Sequence, residues 1–174
     1  MTLESMPGVS LELAAERDAP LLANLLELYI HDLSAAFPAV ELGAEGRFGY
    51  PKLPLYWSEP ALHFPFLVRR GGKLAGFILV TRGSPASEEP GMLDVTEFFV
   101  LRNQRRAGVG RRAAHLLWDR LPGRWVVRVS EANLGALPFW SQAITEYTRD
   151  AAVQTRRSGT PSAWRVFHFE SPAR

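Results

Sequence analysis

The sequence predicts an α/β (α+β) fold: a mixed, mostly antiparallel sheet with one central parallel crossover, flanked by helices. Three observations predict it. The apolar runs "HFPFLVRR", "KLAGFILVTR" and "MLDVTEFFVL" follow one another with short polar breaks, the pattern of an antiparallel meander. A helix-spaced stretch and then another strand-like run, "RWVVRVS", come next, and strand, helix, strand in that order is a parallel crossover. Amphipathic helical spacing recurs before, within and after this core, which supplies the flanking layers.

Taken in order, "VSLELA" (9–14) alternates as a short strand, and "RDAPLLANLLELYIHDL" then opens a helix with Asp18 as N-cap and Pro20 in the first turn. Leu22, Leu25, Leu26, Tyr29 and Leu33 give that helix one apolar face. Residues 37–60 carry four prolines and three glycines without a sustained period; so long a loop in a compact domain is commonly functional, and this one is expected to face a substrate, with room for a short helix. Gly71-Gly72 predicts a tight hairpin turn between the first two meander strands, and "GSPASEEPG" a looser connection to the third. Val109, Ala113, Leu116, Leu117 and Leu121 recur at helical spacing until Pro122-Gly123. Beyond "RWVVRVS", Asn133 is expected to cap a helix through "LGALPFWSQAI", and "TEYTRDAAVQT" with "SAWRVFHFE" to form a last strand pair.

The bulk numbers exclude several classes. At 174 residues the chain is expected to be a single domain, 1–174, able to bury roughly two-thirds of its unfolded surface. With no cysteine there is neither a disulfide nor a thiolate nucleophile, and the histidines 31, 63, 115 and 168 share no ligand spacing, so no metal site is expected. His115 is read onto the polar side of its helix. No apolar run approaches the ~20 residues that span a bilayer, and "MTLESMPG" lacks the features of a signal peptide. The expectation is a cytoplasmic protein without a membrane partner.

The net charge is only +2, yet five arginines lie between Arg102 and Arg112. Such a cluster is either a solvated loop face or the seat of an anion. Gly108 and Gly110 stand at the start of the predicted helix, where unpaired amides and about half an elementary positive charge suit a phosphate. A Walker loop is excluded because no Gly-Lys-Ser or Gly-Lys-Thr string exists. The dinucleotide fingerprint is matched formally by Gly108, Gly110 and Ala113, but Leu101 to Ala107 separate it from the strand it should follow at once. Nucleic-acid binding has no motif beside the basic run, and acidic residues nearly balance basic ones. A third pattern, Q/R-x-x-G-x-G/A after an aromatic-aromatic-valine strand end, is met by Arg105-Arg106-Ala107-Gly108-Val109-Gly110.

In this loop, in its element order and in the strings "EFFVLRNQRRAGVGRRAA" and "LPGRWVVRVSEANLGALPFW", the sequence resembles the GCN5-related N-acetyltransferase (GNAT) superfamily. More narrowly it resembles a subgroup of predicted acetyltransferases with an E-F-F-V strand and an N-x-x-A-x-x-F-W helix. The resemblance implies acetyl-CoA as co-substrate and transfer of its acetyl group to a small-molecule amine by direct attack in a ternary complex. The alternative is a non-catalytic acyl-CoA binder of the same fold. A homodimer is compatible with either.

Residue by residue, the resemblance implies that backbone groups of Phe99, Val100 and Leu101 meet the pantetheine arm and thioester. Arg105, Arg106, Ala107, Gly108, Val109, Gly110 and Arg111 would surround the pyrophosphate, and Asn133 would cap its helix, reach pantetheine, or both. Amine acetylation needs a neutral nucleophile, a stabilised oxyanion and an exit for thiolate. Glu97, in an otherwise apolar strand and on the face of Phe99, is the candidate base; the competing reading is a cross-strand ion pair with an arginine. Trp140 stands where many members carry a tyrosine acid and reads as a wall near the thioester or plain core, which leaves Ser141 and Tyr147 as hydroxyl donors. Tyr50, Tyr56 and Trp57 would line the acceptor pocket or cover a satellite core.

Overall fold

The computed structural model describes residues 8–160 and 162–173. Seven strands form one sheet in the order β1-β2-β3-β4-β5-β7-β6. Strands β1 (Val9–Leu13), β2 (His63–Arg70), β3 (Lys73–Arg82) and β4 (Leu93–Val100) pair antiparallel in sequence order. Strand β5 (Gly123–Ser130) then lies parallel to β4, and β7 (Trp164–Ser171) pairs antiparallel with β5 and with the edge strand β6 (Val153–Arg157).

Helices cover both faces. Helix α1 (Ala19–Ser34) packs Leu22, Leu25 and Leu26 against Leu67, Phe77, Leu79 and Phe99. On the opposite face α3 (Val109–Arg120), the crossover helix, and α4 (Ala136–Thr148) pack Ala113, Leu117, Trp118, Trp140 and Ile144 against Phe66, Val68, Ile78, Val80, Val127 and Phe167. Strands β2 and β3 are buried on both sides, which is why their sequences run apolar instead of alternating. Each large side chain so buried stabilises the fold by roughly 1.5–3 kcal/mol before entropy is counted.

Two sequence expectations are corrected and one is refined. Asp18 is the N-cap residue of α1, as expected, but its carboxylate accepts from Ala15 N at 2.9 Å, closing the turn Glu16–Asp18, and makes no bond to a first-turn amide of α1. Asn133 is not the N-cap of α4; Gly135 holds that position, and Asn133 accepts Ala136 N through its backbone carbonyl at 3.0 Å. "TEYT" continues α4 to Thr148, because Ala143 and Ile144 are buried against the sheet and Tyr147 donates to Asp119 Oδ1 at 2.9 Å. Strand β6 is therefore confined to Val153–Arg157. Within residues 37–60 lies one short helix, α2 (Leu55–Ser58).

Two features of β4 position the site. Leu79 pairs with Glu97 and Val80 with Val95, so Thr96 is an extra residue, a β-bulge that bends the strand. Beside it, the parallel pairing of β4 with β5 consists of Leu93 with Trp125 and Asp94 with Val126. Beyond Asp94 the two strands diverge, and the groups they turn toward each other have no sheet partner.

Candidate active site

The bulge decides which way Glu97 faces. Val95 and Phe98 both pack into the cluster under α3 and α4, so two residues, Thr96 and Glu97, fill the space between them. Glu97 thereby falls on the α1 face with Phe99, where its Oε2 accepts from Tyr29 Oη at 2.7 Å and its Oε1 from Tyr50 Oη at 3.0 Å. Among the described residues no arginine pairs with it. Burial raises the pKa of Glu97, opposed by the two hydroxyl donors and by the charge of Arg128. Both tyrosines are pushed upward, first by burial and then by Glu97 itself, so they stay protonated donors.

Glu97 lines a cleft of about 770 Å³ that opens where β4 and β5 part. Tyr50, Tyr56, Thr96, Phe98, Arg128, Asn133 and Trp140 also line it. Tyr56 is only 2% exposed, and burial pushes its hydroxyl pKa upward. A second cleft, of about 590 Å³, runs between the start of α3 and the start of α4, lined by Phe98, Phe99, Val100, Arg102, Arg105, Arg106, Gly110, Asn133, Gly135, Ala136, Phe139 and Trp140. Tyr29, Leu33, Phe98, Asn133, Ala136 and Trp140 border both, so the two form one groove with Glu97 beside the junction.

The arginine loop forms the end of the second cleft. Gly108 has φ +71°, a left-handed conformation that glycine adopts without cost, and the first helical amide to find a carbonyl is that of Arg112, which donates to Gly108 O at 3.0 Å. The amides of Val109, Gly110 and Arg111 therefore carry no intrahelical bond. Gly110 is small for a different reason from the one sequence suggests: a Cβ there would lie 3.1 Å from the Phe139 ring. Arg106 holds φ +62° and lines the cleft, whereas Arg102 and Arg105 both grip Asp32 at 2.6 Å. Arg105 also donates from Nε to Val100 O at 2.7 Å.

Several expected contacts are absent from this groove. Leu101 donates its N–H to Ala75 O at 2.9 Å and accepts Gln104 N at 2.8 Å, so its backbone is occupied. By strand alternation from that bond, Phe99 turns its amide and carbonyl toward β3, and Phe98 and Val100 turn theirs toward the gap. Val109 is buried in the core, Ala107 packs against that core, and Arg111 pairs with Glu146 at 3.1 Å. Trp57 donates to Ala14 O at 3.1 Å and does not line the acceptor-side cleft. Neither Ser141 nor Tyr147 lines either cleft. His115 is not on a polar face; it packs between Trp118 and Tyr147 with Nε2 2.9 Å from Ala143 O. Trp140, 7% exposed, is both core and wall, packed edge-on against Phe98 and Phe139 at 4.9 Å.

Sequence reasoning missed Tyr29, Asp32 and Arg128. Tyr29 is legible only as the hydroxyl-bearing member of an otherwise leucine-rich stripe; Asp32, three residues on, shares its helix face.

The acetyltransferase (GNAT) family's sequence model matches residues 23–143. The chain belongs to that family. No curated protein matches it. Among solved structures it is similar to an acetyltransferase from Thermus thermophilus, at 20% identity and a TM-score of 0.66, covering 94% of this chain and 99% of that one. It is also similar to a spermidine N-acetyltransferase from Vibrio cholerae in complex with CoA and spermine, at 12% identity and a TM-score of 0.64, covering 94% and 95%. An aminoglycoside acetyltransferase in complex with CoA and kanamycin matches at 14% identity and a TM-score of 0.64, again covering 94% and 95%. The family's acyl donor is acetyl-CoA. Among the described residues no helix is long and apolar enough to cross a membrane.

The residues present fit that donor. Gly110, whose amide has no intrahelical bond, and Arg106 line one end of the second cleft, and strand backbone at Phe98 with the amide of Val100 leads from them toward Glu97; the Val100 carbonyl is already held by Arg105. An anionic head and an extended amide-bearing arm are what such a groove accommodates.

Proposed function

We propose that this acetyltransferase is an N-acetyltransferase that acts on the amine of a small molecule. The observation that carries the reading is a partly buried carboxylate, Glu97, hydrogen-bonded by two tyrosines beside the junction of the two clefts. Acetyl-CoA supplies a thioester carbonyl, so that a C–N bond forms with an amine as the C–S bond breaks and CoA departs as thiolate. The amides of Val109, Gly110 and Arg111 with Arg106 hold the pyrophosphate, and backbone at Phe98 and Val100 aligns the arm. Asn133, Arg102 and Arg105 border that path, and Gly108 turns the chain into the helix start. Glu97 takes the proton that the attacking amine gives up, and Tyr29 and Tyr50 keep its lone pairs aimed. Trp140 and Phe98 exclude water from the junction. Tyr50 and Tyr56 line the acceptor side.

The structural neighbours bound to spermine and to kanamycin hold polyamine and aminoglycoside ligands, which supports an amine acceptor here. Calorimetry with acetyl-CoA tests the cradle, and release of free thiol across a panel of primary amines tests the chemistry. Binding with amine-dependent thiol release is the expected result. Binding without release from any amine would make the protein an acyl-CoA binder.

A further inference from the structure

Arg128 has no part in the cofactor groove or in proton transfer, yet it lines the acceptor-side cleft on the same sheet face as Glu97. In β5 the residues Trp125, Val127 and Val129 pack under α3 and α4, so Arg128 projects to the other side. It stands two residues beyond Val126, the last partner of β4, and so level with the bulge residue Thr96, next to Glu97. Its charge is close enough to favour the ionised form of Glu97.

The guanidinium is held from behind. Its Nε donates to Oδ2 of Asp94 at 2.9 Å, and Asp94 is fully buried, with a further hydrogen bond from Ser84 Oγ. That contact uses one nitrogen of the fork. Among the described residues, Nη1 and Nη2 have no hydrogen-bond partner, and a quarter of the side chain is exposed to the cleft. Two other arginines around the groove differ: Arg102 and Arg105 each engage both Nε and Nη2, with Asp32 as the carboxylate that neutralises them. A fixed, planar cation with its outer edge free is a receptor for a carboxylate, which it can grip through two parallel bonds. Lys52 adds a second positive charge to the lining of the same cleft.

We propose that the acceptor is an amino carboxylate: its carboxylate is bound by Arg128 and its amine is presented to Glu97. The inference rests on the N-acetyltransferase reading above and names the substrate class for that site. Asp94 is a positioning residue, since it acts through Arg128. Polycationic amines meet the like charge of Arg128 close beside Glu97 and bind less well than an amino carboxylate.

The test compares each of phenylalanine, glutamine, lysine and β-alanine with its own carboxamide, with spermine and kanamycin as polycationic acceptors, by thiol release from acetyl-CoA. The carboxamide of an α-amino acid has the more readily deprotonated amine, so intrinsic reactivity favours the amide and a preference for the acid reports recognition. At least one acid is expected to exceed its amide tenfold or more in kcat/KM. Arg128→Met is expected to raise KM for that acid by about 10- to 100-fold, the range of a lost charge-assisted pair, and to leave the amide's KM unmoved. Arg128→Lys, with the charge but not the fork, is expected to fall between. Acetyl-CoA binding by each variant, read by calorimetry, shows that the fold is intact. Amine-dependent thiol release with no acid ahead of its amide, or with Arg128→Met weakening both alike, overturns this inference and leaves the N-acetyltransferase reading standing. Acetyl-CoA binding with no release from any amine overturns both.

Discussion

The Tyr29 hydroxyl donates to Glu97 Oε2 across 2.7 Å, joining the middle of α1 to the bulged strand β4. Tyr29 also packs edge-on against Phe77, with ring centroids 5.7 Å apart, so its position is set by the core and not by the carboxylate. The hydrogen bond is thus pre-organised: the helix that buries Leu22, Leu25 and Leu26 also fixes the donor that orients the candidate base.

A base must be ionised to work, and burial holds the pKa of Glu97 above its ordinary 4.5. The rate is therefore expected to rise with pH through that raised value. Glu97→Gln is expected to remove this limb and to lower kcat by about 10²- to 10⁴-fold. Tyr29→Phe removes a donor to the ionised form, so the same limb moves to higher pH. Stability has the opposite sign: the folded state holds this proton more tightly than the unfolded chain, so the contribution of Glu97 to stability falls as pH rises through the window above 4.5. A pH–rate profile of Glu97→Gln with its limb intact would exclude Glu97 as the base.

Arg106 allows backbone and side chain to be separated. At φ +62° it occupies a region that costs a non-glycine residue about 1–2 kcal/mol, while its side chain lines the cofactor cleft. Arg106→Gly is expected to match or exceed the wild type in urea denaturation and yet to bind acetyl-CoA roughly tenfold more weakly, a charge-assisted bond being worth about 1.5–3 kcal/mol. Equal affinity in the two proteins would remove Arg106 from the cradle.

Gly76 shows how tightly β3 and β4 approach. A Cβ at this position would lie 2.0 Å from Phe99 O, and backbone cannot swing aside as a side chain can. Gly76→Ala is expected to cost about 3 kcal/mol, the upper range for overpacking, and to disturb the end of β4 that borders the groove. Denaturation midpoint and acetyl-CoA affinity should fall together; an unchanged midpoint would mean that the strands part easily.

How much of this was legible in the sequence depends on the range of the interaction. Gly71 and Gly72 announce their hairpin and do take positive φ, at +56° and +76°, because a tight turn is decided locally. The order of elements along the chain and the helix after Gly108 follow from patterns of similar reach. The end of α4 does not: threonines and a tyrosine suggest a strand, but Ile144 buried on the sheet and Tyr147 bonded to Asp119 carry the helix on. Within the site, the isolated carboxylate of Glu97 in an apolar strand was visible. Its partners were not, since Tyr29 lies 68 residues away and Tyr50 lies 47. The bulge at Thr96, which aims Glu97, has no local sequence mark, and Arg128 looked like any polar residue of an alternating strand.

The edge strand β6, exposed at all five residues, is tied to the sheet partly by Glu131, which accepts from Arg156 Nε and Nη2 at 2.8 and 3.0 Å and from Arg165 Nε at 2.8 Å. Chiefly through the hydrogen bond from Arg156, its pKa is pushed down to about 2. A depressed carboxylate contributes in full above its unfolded value of 4.5, and the contribution is lost as pH falls toward about 2. Glu131→Gln is therefore expected to speed hydrogen exchange of the β6 amides several-fold at neutral pH, with the core of β3 unchanged, because edge strands open without global unfolding. Lowering the pH of the wild type from 5 to about 2 should reproduce that selective exposure once exchange is corrected for its intrinsic rate. If β6 protection is the same in both proteins, the cluster is a surface arrangement and the ladder to β7 holds the edge by itself.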